Sequence, residues 1–217
     1  IKYKKLLKKE KKKNYNLNAF YMMSLGSFNH TKTSVGTANF SLNSPVSIGL
    51  SGGYRPKDKK HSYSGSMYWT NLKAVVQKGR TSKQEPPSEI GLNAYLNYPI
   101  KIKSYGFEGY AGIDYENFST FDFDLLQRST IFFDEHFITF LTIGHNKVIT
   151  ILGQRFFTKF SLSRSLFSST KAQSEASDGY SGWKYLLYLN KSLYKKFFIH
   201  GMFKQHILSN ESYKLDV

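Results

Sequence analysis

No cysteine occurs among the 217 residues. Disulfide scaffolds, thiolate zinc sites and cysteine nucleophiles are therefore excluded, while the redox compartment stays open, since a cysteine-free chain survives in either. Charged residues are few, at 21%, and acids are the scarcer sign, 15 Asp and Glu against 31 Lys and Arg. No segment approaches the roughly 18 apolar residues that a membrane helix needs. The longest nearly apolar run, Phe137–Ile143, is broken by Thr139 and Thr142. No apolar stretch follows the basic residues Lys2–Lys13, so no secretory leader is recognisable. With no initiating Met, the chain reads as a mature or trimmed form. The alanine-, leucine- and glutamate-rich composition of a helical bundle is also missing.

Aromatic residues, by contrast, are abundant. They make up 17% of the chain, with 16 Tyr, 18 Phe and 2 Trp, a bias that suits pleated strands. The net charge is +16, which suits an anionic partner such as acidic lipid, lipopolysaccharide phosphate or nucleic acid. Residues 1–13 supply +7 of it through eight lysines and one Glu. The plainer reading of that run is a basic flexible tail, here residues 1–16. Lys outnumbers Arg, the usual base reader, so nucleic acid is not expected as a partner.

The strongest signal is period-two alternation. Val46, Ile48, Leu50 and Tyr54 fall on one face, with Ser47, Gly49, Ser51 and Gly53 on the other. Tyr63, Met67 and Trp69 oppose Ser62, Ser64, Ser66 and Thr70. Ile90, Leu92, Ala94, Leu96 and Tyr98 oppose Glu89, Gly91, Asn93, Tyr95 and Asn97. Tyr105, Phe107, Ala111, Ile113 and Tyr115 oppose Gly106, Glu108, Tyr110, Asp114 and Glu116. Four such segments in succession predict strands. They are longer than the usual 5–6 residues of soluble strands and match the roughly 9–11 that a tilted strand needs to cross a bilayer. The strands expected are 17–29, 45–55, 61–75, 88–99, 104–117, 128–144, 148–160, 182–191 and 196–208. That is nine, whereas a closed single-chain bacterial barrel should hold an even number, eight or ten. A barrel over 17–208 leaves 209–217 as a C-terminal tail or terminal strand. Three adjacent pairs, Phe132–Phe133, Phe156–Phe157 and Phe197–Phe198, break strict alternation and place one ring on each face.

Connections add a second signal. Short turns are expected at Pro56–Lys60, Pro99–Lys103, His145–Lys147 and Lys191–Lys195. Longer polar loops are expected at Thr31–Ser44, Gln77–Pro87, Ser119–Gln127 and Ser161–Ser181. Membrane barrels alternate short turns and long loops in this way. Tyr54, Tyr63, Tyr98 and Tyr105 flank two of the short turns, as an interfacial girdle does; ordinary cross-strand pairing in a soluble hairpin would place them similarly. Sequence alternation does not say which face points inward. Long strands, polar faces rich in Gly, Ser and Asn, and lysines gathered in turns and tail favour lipid outside, against a mean hydropathy of −0.43.

On these residues the chain resembles small bacterial outer-membrane barrels of the OmpA-like and OmpW-like kind, by architecture rather than by a signature motif. The resemblance implies an all-β, antiparallel up-and-down transmembrane barrel of about 8–10 strands in the outer membrane, with a structural, pore-forming or adhesive role. The chain ends Lys214-Leu215-Asp216-Val217 rather than in the aromatic residue common in such barrels.

Interior positions are then Asn93, Tyr95, Asn97, Glu108, Tyr110, Asp114, Glu116, Arg128 and Arg155. The carboxylates are expected to pair with the two arginines and plug the lumen, because a buried unpaired carboxylate costs several kcal/mol. Lipid-facing positions are Val46, Ile48, Leu50, Ile90, Leu92, Leu96, Phe107 and Ile113. Partners expected are membrane lipid and lipopolysaccharide, and proteins contacting loops 31–44 and 161–181. No catalytic, cofactor or metal residue is assigned. His206 with Ser209 and Asn210 is a near match to a lipase-like pattern, but positions 206 and 209 point to opposite faces of a strand; His206 is expected at the surface near a strand end. His136 beside Asp134 and Glu135 is a thin metal candidate. Gly49, Gly52 and Gly53 lack the following Lys-Ser/Thr of a phosphate loop. The leading expectation is a non-enzymatic anchor, small pore or surface-assembly component. The alternatives are a lipid- or lipopolysaccharide-modifying hydrolase and a soluble basic β-protein that binds nucleic acid.

Overall fold

The computed structural model describes residues 14–32, 36–71, 73–76, 88–102, 105–123, 131–171, 179–194 and 197–210. Within them the side chains at 24–32, 36–45, 73–76, 105, 119–123, 131–134, 171, 194 and 210 are outside the description. Ten strand segments form one antiparallel sheet: β1 (Tyr15–Lys32), β2 (Gly36–Tyr54), β3 (Ser62–Thr70), β4 (Lys73–Val76), β5 (Glu89–Ile102), β6 (Tyr105–Phe123), β7 (Ile131–Ile151), β8 (Gln154–Lys171), β9 (Tyr180–Tyr194) and β10 (Phe197–Asn210). β3 pairs with Ser47–Tyr54 of β2, and β4 pairs with Phe40–Asn43 of the same strand. The two segments therefore share one position in the sheet. The order is β1-β2-β3-β5-β6-β7-β8-β9-β10, a plain up-and-down path of nine strands among the described residues, within the expected range of about 8–10 but odd where an even number was expected. Among the described residues no helix is long and apolar enough to cross a membrane.

The sheet curls, but its edges do not join. Side chains of β10 reach β3, β5 and β6 across the concave face, yet β1 and β10 are not hydrogen-bonded to each other among the described residues. Closure, as a barrel requires, is therefore not seen; the architecture is a curled half-barrel. Register shifts between Met22 and Ser24, Thr139 and Phe140, and Phe197 and Phe198 mark bulges, which bend and twist the strands they interrupt.

Several expected loops are strands. β1 and β2 pair from Tyr15↔Tyr54 to Lys32↔Gly36, so most of 31–44 belongs to the ladder. β8 runs to Lys171 and β9 starts at Tyr180, so only 172–178 of the expected loop 161–181 lies outside the described residues. Thr, Ser and Asn satisfy a ladder as well as a turn once a partner strand supplies hydrogen bonds. Pro99 sits inside β5 opposite Glu108, so β5 runs through most of the turn expected at 99–103, and residues 103–104 lie outside the described residues. His145–Lys147 lies within β7; the reversal occurs at Leu152–Gly153. Both residues there have positive φ, 49° and 75°, the backbone of a two-residue hairpin turn whose twist matches the strands, and Gly153 adopts it without strain. The expected loop 77–87 lies outside the described residues, and β6 continues to Phe123 into the expected loop 119–127. The turns 55–61 and 152–153 lie at one end of the sheet, with the strand ends Ile102, Tyr105, Tyr194 and Phe197. The strand ends Lys32, Gly36, Glu89, Phe123, Ile131, Lys171 and Tyr180 lie at the other, here called distal.

The two faces differ in polarity. Buried side chains on the concave face include Ser47, Thr70, Tyr95, Asn97, Tyr110, Asp114, Glu116, Phe140, Thr142, Ser161, Ser163 and Lys184. The convex face leaves Ile48, Leu50, Met67, Leu92, Leu96, Ile113, Leu141, Ile143 and Leu187 exposed. Three concave-side rings lie across glycines directly opposite them: Phe20 on Gly49, Tyr68 on Gly91 and Tyr110 on Gly144. A Cβ at any of these glycines would fall within 2.4 Å of the ring, so glycine here provides room for an aromatic side chain in a narrow interior.

Candidate functional site

The interior is organised by register. Ser64, Tyr95, Gly112, Thr142, Ser163, Lys184 and His206 are successive cross-strand partners on β3, β5, β6, β7, β8, β9 and β10. They form one row across the concave face. Asp114 and Glu116 project beside it from β6. Gly112 leaves the row open at its centre, where the ideal Cβ would meet the Ala94 carbonyl at 2.0 Å.

An ionic cluster fills that row. The ammonium of Lys184 bonds Asp114 Oδ2 and lies 2.8 Å from Glu116 Oε1. These side chains are almost dry, with 1% of Lys184, 4% of Asp114 and 8% of Glu116 exposed. Asp114 also accepts from the Tyr95 hydroxyl and, at 2.9 Å, from Thr142 Oγ1, which in turn lies 2.8 Å from Ser163 Oγ. Glu116 Oε2 meets Lys204 Nζ at 3.2 Å and His206 Nε2 at 3.0 Å. Lys204 further bonds the Tyr68 hydroxyl at 2.9 Å and lies 3.8 Å from Glu89. Two lysines thus balance Asp114 and Glu116, which is what burial of charge demands. The Phe140 ring lies 4.7 Å from the Lys184 ammonium.

Layers of other side chains flank the cluster. Towards the short turns, Lys159 lies 4.1 Å from the Tyr95 ring centre and 4.7 Å from that of Tyr110. Beyond it, Glu108 pairs with Arg55 at 3.2 Å and accepts from Asn146 at 3.4 Å. There an open concavity of about 640 Å³ is lined by Lys101, Glu108, Asn146 and Phe157 among others. Towards the distal end, His136 packs edge-on to Tyr180 at 4.5 Å and tilts against Phe118 at 5.1 Å, while His206 stacks on Phe118 at 6.2 Å. His136 Nδ1 bonds Thr170 Oγ1 at 2.9 Å.

Of the expected interior set, Tyr95, Asn97, Tyr110, Asp114 and Glu116 are buried. Asn93 is half-buried and donates to Ser66 Oγ at 2.6 Å, and Glu108 is half-buried at the short-turn end. Arg155 is exposed beside the hairpin turn, too far along β8 to meet the cluster, and Arg128 lies outside the described residues. The counter-ions are instead Lys184, Lys204 and His206, so interior lysines correct the expectation that lysines keep to turns and tail. Lys184 stands between aromatic neighbours in Trp183-Lys184-Tyr185, and that lone cation in mid-strand was the signal; Lys204 and His206, with Gln205 between them, gave a weaker one. His206 is an inward, half-buried ligand of Glu116 and not the surface residue expected. Ser209 is exposed and lies 3.4 Å from the Ser181 carbonyl, on the opposite face from His206, so the pair cannot act as nucleophile and base.

Val46, Ile48, Leu50, Ile90, Leu92, Leu96 and Ile113 are all exposed on the convex face; Phe107 is half-buried against His145, ring centres 5.9 Å apart. Tyr54, Tyr63 and Tyr98 are about half exposed near the short turns, and the Tyr105 side chain lies outside the described residues. Phe156 is half-buried and Phe157 exposed, whereas Phe197 and Phe198 are both exposed on the edge strand; the side chains of Phe132 and Phe133 lie outside the described residues. Among the described residues no group of three or more His, Asp or Glu could hold a metal ion. Comparison with protein-family models, curated proteins and solved structures returns no match.

Proposed function

We propose that this chain is a bacterial outer-membrane β-barrel protein with a plugged interior, acting as a non-enzymatic anchor or component of a cell-surface assembly. The observation that carries this reading is the inverted polarity of the sheet. The buried charges lie on the concave side, while large apolar residues predominate on the convex side, with Arg164 and Lys191 among them. A soluble protein rarely exposes an apolar patch above a few hundred Å², and here such residues continue over successive strands from β1 to β10. In β9, Trp183, Tyr185, Leu187, Leu189 and Leu193 are all exposed. At about 3.3 Å per residue the uninterrupted part, Trp183 to Leu189, runs about 20 Å, within the height of a barrel's apolar band of about 25 Å; Lys191 follows on the same face with its ammonium 5.7 Å from the Phe156 ring.

The rims fit the same reading. Tyr54, Tyr63 and Tyr98 lie near the short turns, and both tryptophans, Trp69 and Trp183, lie towards the distal ends of their strands. Aromatic girdles mark the two interfaces of such barrels. Arg164 lies 5.2 Å from the Trp183 ring, where a long cationic side chain can reach headgroups. The interior favours an anchor over a pore, because its central row is occupied by mutually neutralised charges. Far-UV circular dichroism of refolded protein in buffer and in detergent micelles tests the reading. A cooperative β-spectrum only in detergent supports it. A well-folded, monodisperse β-protein in plain buffer overturns it.

A further inference from the structure

Among the described residues the up-and-down path holds nine strands, so the first and last run in the same direction and the outer edges of β1 and β10 are parallel to each other. Every neighbouring pair along that path is antiparallel. The sheet can therefore close upon itself only through one parallel seam; a single inserted strand would instead run antiparallel to both edges.

The edges already approach each other. Phe20 of β1 and His200 of β10 meet edge-on with ring centres 6.1 Å apart, and His200 stacks on Tyr188 at 5.7 Å. With each ring centre roughly 3.5–4 Å from its own Cα by standard bond lengths, the two Cα atoms are at most about 14 Å apart. Direct pairing needs about 4.8 Å. Shared over eight strand junctions, the difference is only about 1 Å each. The apolar band also reaches both edges, through Leu17, Tyr21 and Met23 on one side and Phe203 and Ile207 on the other. In hydrocarbon, unpaired N–H and C=O groups along an edge cost several kcal/mol apiece. From this we infer that in a bilayer β1 and β10 zip together as a parallel pair and close a nine-stranded barrel, with Phe20 and His200 at matching levels of the seam. The inference rests on the membrane reading above.

The absence of cysteine makes the test clean. Phe20→Cys/His200→Cys is refolded into dimyristoylphosphatidylcholine vesicles and oxidised, and the product is read by gel mobility with and without reductant. A closed seam gives an intramolecular disulfide in most molecules, because Cα atoms within about 7 Å can be bridged. A second pair, Asn18→Cys/Phe198→Cys, keeps the test alive if the first variant folds poorly and reads direction as well. A parallel seam links 18 to 198, whereas the mismatched pair Asn18→Cys/Met202→Cys stays unlinked. No disulfide, but efficient linkage by a bis-maleimide spanning about 10 Å, twice the strand spacing, would mean that an inserted strand occupies the gap and would overturn the inference. Disulfides between molecules would overturn it in favour of a second copy at the edge. Protease protection and circular dichroism on the same vesicles separate the two layers. Folded, protected protein with an open seam defeats the closure alone. Protein that stays outside the vesicles defeats the membrane reading, and the closure with it.

Discussion

Replacing Lys184 with Met would strip Asp114 of its counter-ion. Glu116 would keep Lys204 and His206, but Asp114 would retain only the hydroxyls of Tyr95 and Thr142. With 4% of its side chain exposed, Asp114 gains nothing from solvent. Removing one partner of a buried pair costs about 3–5 kcal/mol. Loss of the ammonium over Phe140 adds about 0.5–2 kcal/mol, partly offset by the apolar fit of Met. Against a typical total stability of about 5–15 kcal/mol, the variant should be severely destabilised. Lys184→Met with Asp114→Asn restores charge balance, leaving Glu116 on Lys204, and should recover much of the loss. The coupling expected between the two sites is about 1–3 kcal/mol. Urea unfolding from phosphatidylcholine vesicles, followed by the fluorescence of Trp69 and Trp183, measures all four corners of the cycle. A Lys184→Met variant within about 0.5 kcal/mol of the parent, a change typical of an uninvolved surface site, would refute the argument. So would strict additivity in the double variant.

Gly91→Ala places a Cβ 2.0 Å from Tyr68 Cε1, so the ring must move and its hydroxyl leaves Lys204; a loss of about 1–3 kcal/mol is expected by the same unfolding assay. Leu50→Arg or Ile113→Arg should cost about 2–4 kcal/mol in vesicles if the convex face meets lipid, whereas a water-facing site would show a change within about 0.5 kcal/mol. In planar bilayers the intact protein should hold conductance near baseline, and a triple Tyr95→Ala/Asp114→Ala/Lys184→Ala variant should raise it by emptying the central row. Steady large channels from the intact protein would contradict a plugged interior.

Alternation was readable because each strand repeats every two residues, and the convex set from Val46 to Ile113 follows directly from it. Strand ends were not readable. Ser161 and Ser163 looked like loop sequence, yet they are buried small residues of β8, Ser161 opposite Gly144 and Leu186 and Ser163 opposite Thr142 and Lys184. The turn at Leu152–Gly153 was hidden because Leu152 carries no turn signal of its own, while His145-Asn146-Lys147 is polar but extended. Half of the ion cluster, Asp114 and Glu116, was visible as a face of β6. Its other half was not, because Lys184 and Lys204 lie 70 and 88 residues away from those acids in sequence. Three ladders separate Lys184 from β6 and four separate Lys204, so only register and the curl of the sheet bring them to those acids. The arginines chosen instead show how little charge type decides when register is unknown.

On the membrane reading, the central row also limits what the molecule can do. A conducting path through this interior would need Lys184 to leave two carboxylates at once, since it touches both Asp114 and Glu116. Any single rearrangement strands a charge in a dry place, and that cost falls on folding stability. The interior therefore serves rigidity, and the convex face serves partition into lipid. Recognition is left to the two ends. The short-turn end has little chain to offer beyond 55–61. At the distal end β8 stops at Lys171 and β9 begins at Tyr180, and loops on a rigid scaffold are where recognition varies. Grafting foreign residues into 172–178 should then leave unfolding in vesicles unchanged, and a large loss of stability would contradict a rigidity carried by the central row.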